Sequence, residues 1–356
     1  MNRAIRKCWR DSASLIVLAK RYREPESSVC SAGNYDILLQ TRTSRASFPN
    51  SVVFPGGLCE AADGADRWLR LFAEFGYSQR DFDALHRAGA PITPIFGNNP
   101  VQRHIALRIT AIRETFEELG LLLCSTENRN NRDGLWASVV KDVDLKYWQS
   151  QVTKDPQELF SLCKEYNCYP DIWSLHHWSN WLTPARVPKR FETAFFITAL
   201  ERKPEGIESS PEVVKTEWAN PSNVLDRSCR KEVLLYPPQV YELNRLNCFP
   251  RIEDLIKFAK ERSCLGNELL YPIGLRAKNG LLHLLPGDHL YPSTVDYYDP
   301  KIVEINSTIE ELFEENQSFH RFVCQGTLDK LVIRNYTPVN HVNMGDKVIT
   351  VKLTIH

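Results

Sequence analysis

Arg113-Glu114-Thr115-Phe116-Glu117-Glu118-Leu119-Gly120 packs a guanidinium and three carboxylates into two helical turns that stop at a glycine. On a helix, side chains three and four residues apart share a face, so Glu114 lies beside both Glu117 and Glu118. Like charges so placed repel by about 0.2–0.5 kcal/mol per pair, and a cation among them turns that cost into a gain. Hard divalent cations take oxygen ligands and often bind phosphates at the same time. A solvated acidic face is the competing reading of the same residues.

Working outward, the helix carrying this stretch is expected from about Val101 to Leu119, with Ile105, Leu107, Ile109, Ile112 and Phe116 as apolar anchors. Pro91, Pro94 and Pro100 break the chain before it. Ser14–Ala19, Tyr35–Gln40 and Ser51–Phe54 read as strands, with a loop over Arg23–Asn34 and a turn at Pro55-Gly56-Gly57. Helical patterns follow over Asp66–Phe75, Arg80–Arg87 and Asp155–Cys163. Arg190–Leu200 is a further strand, and Glu217-Trp218 opens another element. Beyond Tyr236 come helices from Pro237 and over Ile252–Arg262, then short strands at 280–285, 331–335 and 347–353.

Phe54-Pro55-Gly56-Gly57 precedes the acidic helix, and Asp63 stands six positions after Gly57. A glycine, an acid six later, then R-E-x-x-E-E-x-G with Leu121 apolar at its end resembles the Nudix box, G-x5-E-x7-R-E-U-x-E-E-x-G-U. Here residues 64–112 replace the seven-residue spacer, and Asp63 stands where the family has Glu. Trp181-Leu182-Thr183-Pro184, Arg190-Phe191-Glu192-Thr193, Pro237-Pro238-Gln239 and Leu285-Pro286-Gly287-Asp288 resemble the acyl-coenzyme A diphosphatase branch of that family.

The resemblance implies an α+β Nudix fold, an α/β/α sandwich, with a helical insertion at about 64–100 inside the box. The Nudix domain is expected over 12–228, followed by a mixed α/β C-terminal extension over 229–356 that packs on it. It implies hydrolysis of the diphosphate of coenzyme A or acyl-coenzyme A with Mg²⁺ or Mn²⁺ as cofactor. The alternatives are another nucleotide conjugate, such as NADH or ADP-ribose, or a silent nucleotide-binding module. Glu114 and Glu118 are then metal ligands, Glu117 a third ligand or the general base, and Arg113 an orienter of carboxylates. Gly56 and Gly57 let backbone approach helix and phosphate closely. Asp63 is a distal ligand or only a turn residue. Arg42 and Arg190 are candidates for the 3′-phosphate or ordinary surface charges. Glu212 is a second candidate base, and His176-His177 a weaker phosphate contact.

Composition bounds the rest. With 356 residues, 43% hydrophobic, and 44 basic against 44 acidic residues, the chain reads as an ordinary globular protein. A small-molecule substrate is expected, with no nucleic acid, no membrane span and the oligomeric state open. The ten cysteines include no C-x-x-C pair, so a zinc ribbon is not expected and most are free thiols. Arg3, Arg6, Lys7 and Arg10 faintly resemble a mitochondrial presequence, and Thr354-Ile355-His356 is not a peroxisomal S-K-L-like ending. The family resemblance points to peroxisome or mitochondrion, and the cytosol stays open.

Overall fold

Leu15-Ile16-Val17-Leu18-Ala19 is apolar at every position, which suits a strand covered on both faces. The computed structural model describes residues 7–21, 33–45, 48–97, 99–131, 135–205, 207, 210–211, 213–313, 316–326 and 328–353. Arg3, Arg6, most of the loop at 23–34, Glu212 and 354–356 lie outside them.

The chain opens with β1 (Arg10–Lys20), β2 (Tyr35–Arg42), β3 (Val52–Val53) and β4 (Gly56–Leu58). The insertion carries α1 (Arg67–Glu74) and α2 (Gln79–Asp83), and α3 spans Pro100–Leu119. Then come β5 (Cys124–Ser125), α4 (Leu145–Lys154), α5 (Glu158–Glu165) and β6 (Tyr169–Pro170). β7 (His176–Leu182), β8 (Phe191–Leu200) and β9 (Val213–Ala219) complete most of the larger sheet. The helices α6 (Pro221–Cys229), α7 (Pro237–Leu246) and α8 (Ile252–Arg262) follow. The remaining strands are β10 (Leu269–Leu270), β11 (Ile273–Ala277), β12 (Gly280–Leu284), β13 (Val303–Glu304), β14 (Phe319–Gln325), β15 (Leu328–Arg334) and β16 (Lys347–Val351).

The larger sheet runs β10-β7-β8-β1-β2-β3, with β9 also on β2 and β4 on β1. β1 lies parallel to β8 and antiparallel to β2, so the central strand is hydrogen-bonded along both edges. Leu15, Val17, Ala19 and Leu38 face one core, shared with Leu107, Ile112, Phe116 and Leu119 of α3. Ile16, Leu18, Ile37 and Leu39 face the other, shared with Val240, Leu243 and Leu246 of α7 and Leu255, Ile256 and Ala259 of α8. The result is the expected α/β/α sandwich.

The second sheet runs β13-β11-β12-β14-β15-β16. Phe322, Leu331 and Ile333 of that sheet join the same core as α7 and α8. The second sheet therefore packs on the core of the first, as expected of an extension packed on the Nudix domain. Among the described residues, no helix is long and apolar enough to cross a membrane.

Local expectations need four corrections. Gly56-Gly57 is not a turn but part of β4, antiparallel to β1 with Gly57 opposite Ala13. Glu217 and Trp218 lie inside β9 instead of opening a new element. The helix expected over Arg80–Arg87 is only Gln79–Asp83, while α4 was not anticipated because only Trp148 and Val152 are buried along it. The limits of α3, in contrast, are written in its caps. Asn99 accepts from the Gln102 N–H at 3.2 Å, Pro100 occupies the first turn, and Gly120 closes the helix at φ +65°.

Candidate active site

Helical spacing puts Thr110, Arg113, Glu114, Glu117 and Glu118 on neighbouring rows of α3. Arg113 is only 2% exposed and meets Asp63, 1% exposed, through two bonds: Nε to Oδ1 at 2.9 Å and Nη2 to Oδ2 at 3.0 Å. Asp63 also accepts from the Thr110 hydroxyl at 2.8 Å and the Glu60 N–H at 3.0 Å. Arg113 Nη2 further reaches the Leu58 carbonyl at 2.7 Å. Burial alone would discharge Arg113, but Asp63, with Glu114 and Glu117, holds it firmly protonated. Its remaining nitrogen, Nη1, donates to Glu114 Oε1 at 2.9 Å and Glu117 Oε1 at 2.7 Å.

The two halves of the split motif thus meet in space although residues 64–112 separate them. The insertion leaves after Asp63 and returns as α3, and closing such a loop costs only logarithmically more as it lengthens. Both oxygens of Asp63 accept from Arg113, so it positions the guanidinium.

Glu118 sits at the sheet side of α3. Its Oε2 accepts from the Gln40 side-chain amide at 2.8 Å and the Gly56 N–H at 3.0 Å. Burial first, and the Glu114 charge second, push Glu118 up to about 8 against the Gly56 and Gln40 hydrogen bonds and the Arg42 charge. Burial also leads in raising Glu117 to about 7, aided by the Glu114 charge and opposed by Arg113. The glycine pair makes this crowding sterically feasible. Gly56 has φ +152°, and a Cβ there would stand 2.3 Å from the Ala13 carbonyl oxygen. A Cβ on Gly57 would fall 2.4 Å from the Glu114 carboxyl group.

A hard cation suits this donor set. The atoms are carboxylate oxygens, the absent side chain at Gly57 leaves room for the Glu114 carboxyl group, and among the described residues Glu118 has no cation in hydrogen-bonding contact. Among the described residues, the glutamates do not bring three carboxylate oxygens within 4.8 Å of one another, and Arg113 Nη1 bonds both Glu114 and Glu117.

The other candidates separate. Arg42 ends β2, and its charge acts on Glu118. Arg190 does not behave as a free phosphate ligand: it donates to the Thr183 carbonyl, the Cys8 sulfur and the Tyr297 carbonyl, and lies over Trp9. Both histidines of β7 are buried, and burial keeps them neutral. Glu212 lies outside the described residues. Gln40 and Thr110 were missed. Their signal was periodicity, since Gln40 shares a strand face with buried Leu38 and Thr110 precedes Arg113 by one helical turn.

Residues 9–246 match the family of the NUDT19 Nudix domain, and residues 274–331 match the NUDT19 C-terminal domain. The acyl-coenzyme A diphosphatase NUDT19 of Xenopus laevis is 35% identical over 363 residues, covering 95% of this chain and 96% of its own. The human protein of the same name is 36% identical over 336 residues, covering 88% of each. Among solved structures, a Nudix hydrolase from Alicyclobacillus acidocaldarius aligns with 70% of this chain and 96% of its own, at 23% identity and a TM-score of 0.49.

Proposed function

This chain belongs to the NUDT19 family of Nudix hydrolases, and on that premise we propose that it hydrolyses the diphosphate of coenzyme A and acyl-coenzyme A. The products are 3′,5′-ADP and 4′-phosphopantetheine or its acyl form. The observation that carries the reading is the Asp63–Arg113 contact, which rejoins the split motif and directs one guanidinium nitrogen at both Glu114 and Glu117.

Glu114 and Glu118, with Glu117 beside them, are the residues that would hold Mg²⁺ or Mn²⁺. Such a cation neutralises diphosphate charge and lowers the pKa of water bound to it. The chain's own contribution is positioning and proton transfer. Arg113, itself fixed by Asp63, sets the rotamers of Glu114 and Glu117. Gln40 and the Gly56 N–H hold Glu118. Glu117, oriented by Arg113 Nη1 at 2.7 Å, is the residue suited to accept the proton of the attacking water. The water oxygen bonds to phosphorus while the bridging oxygen leaves with its electron pair on the departing phosphate. Arg42, at the end of β2, is the cation for a substrate phosphate. Arg190 takes no part.

The test is a substrate panel of coenzyme A, acyl-coenzyme A, NADH and ADP-ribose, each incubated with Mg²⁺ or with Mn²⁺, with products identified by mass. Release of 3′,5′-ADP from the coenzyme A compounds is expected. Turnover of NADH or ADP-ribose with none of coenzyme A would overturn the substrate assignment and leave the family membership standing.

A further inference from the structure

Three sulfurs meet in the core on the α3 side of the sheet. Cys124 lies in β5, Cys163 near the end of α5, and Cys168 immediately before β6. All three are 0% exposed, and their Sγ atoms lie within 4.8 Å of one another. The backbone enforces this convergence. β5 pairs with β6 in the register Cys124↔Pro170, the Cys168 N–H donates to the Cys163 carbonyl at 2.9 Å, and the Asp171 N–H donates to the Leu123 carbonyl at 3.0 Å.

Buried cysteine commonly serves as a small apolar filler. That role needs no convergence of sulfurs from three separate segments. Burial pushes the Cys124 and Cys163 thiols up, while their hydrogen bonds draw the Cys168 thiol down, so the three sulfurs share their protons as one group. A bound cation would displace those thiol protons and supply the charge that buried thiolates need. Sulfurs bound to one ion at about 2.3 Å stand roughly 3.8–4.0 Å apart, so the observed spacing accepts such an ion with small side-chain adjustment.

We propose that Cys124, Cys163 and Cys168 form a structural site for one thiophilic d¹⁰ cation, Zn²⁺ or Cu⁺, separate from the hydrolytic centre. Sulfur ligands select soft cations, whereas the acidic helix offers oxygen to hard ones. Enclosure on all sides makes the site a brace and not a reaction centre. It ties the strand after α3 to α5 and β6, the layer that packs over the catalytic helix.

The test compares the full chain with Cys163→Ala, Cys168→Ala and, as a control at the other site, Glu114→Gln. Each is reduced, titrated anaerobically with Zn²⁺ or with Cu⁺, passed through a desalting column and assayed for metal by mass spectrometry. About one equivalent is expected to stay with the wild type and with Glu114→Gln, and the cysteine variants should retain at least about tenfold less. Which ion is retained identifies the occupant. X-ray absorption at the metal edge of the loaded wild type should show sulfur neighbours at about 2.3 Å, a readout that stands even if a variant fails to fold. Oxygen and nitrogen neighbours alone, equal metal in wild type and cysteine variants, or a reduced wild type that retains neither ion would each overturn the proposal.

Discussion

Glu118 and Glu242 are both almost shut off from solvent, at 7% and 0% exposure, yet the chain surrounds them differently. Glu242, on α7, accepts from Trp178 Nε1 at 2.7 Å, the Ser179 hydroxyl at 2.8 Å and Trp181 Nε1 at 2.8 Å. It also faces Arg245, whose Nη1 stands 3.3 Å from Oε1. Every lone pair of that carboxylate has a use, and the group fastens α7 to β7. Glu118 receives one amide and one backbone N–H, and the charge nearest in effect is another carboxylate, Glu114. A fully matched buried charge is architecture. One whose strongest charged neighbour is another carboxylate points to something the chain binds.

Glu242→Gln would break the matched side of the comparison. It leaves Arg245 buried without its anion, so a loss of about 3–5 kcal/mol is expected in denaturant unfolding. Unchanged stability would show that the two glutamates are not built differently. Glu118→Gln should do the reverse, lowering kcat by about 10²–10³-fold while leaving metal-free unfolding unharmed or slightly improved. Gly57→Ala acts one step removed, by displacing the Glu114 carboxyl group, and a loss of up to about 10²-fold in turnover is expected with the fold retained by circular dichroism.

The smallest of these effects is a pH dependence. Glu118 and Glu117 are raised to about 8 and about 7, so both bind protons more tightly in the folded, metal-free protein. Their contribution to stability is complete below the ordinary glutamate range and lost as pH rises toward 8. Metal-free protein should therefore lose stability from about pH 4.5 to 8, and Mn²⁺ should flatten that slope. The same protons compete with the ion, so Mn²⁺ affinity measured by electron paramagnetic resonance should weaken as pH falls below 7, by up to about tenfold per pH unit for each proton displaced. Affinity independent of pH would contradict the raised values.

Much of this was legible before folding was considered. The three carboxylates of α3 share a face because helical spacing is local, and its start and stop are capped by residues adjacent in sequence. Strands β1, β2 and β8 are equally plain, since continuous apolar runs demand cover on both sides. Gly56-Gly57 was read correctly as a place of close approach and incorrectly as a turn, because the sequence around it does not reveal that β1 lies alongside.

The amino-acid sequence by itself determined the α3 helix, its charges, the split motif and hence the family. Tertiary structure alone decided that Asp63 serves Arg113, that Gln40 holds Glu118, that Arg190 is spent on packing, and that three scattered cysteines share one spot. The physical reason is distance along the chain. Charge and periodicity are properties of neighbours in sequence, whereas burial and pairing depend on which remote segments come to rest against them.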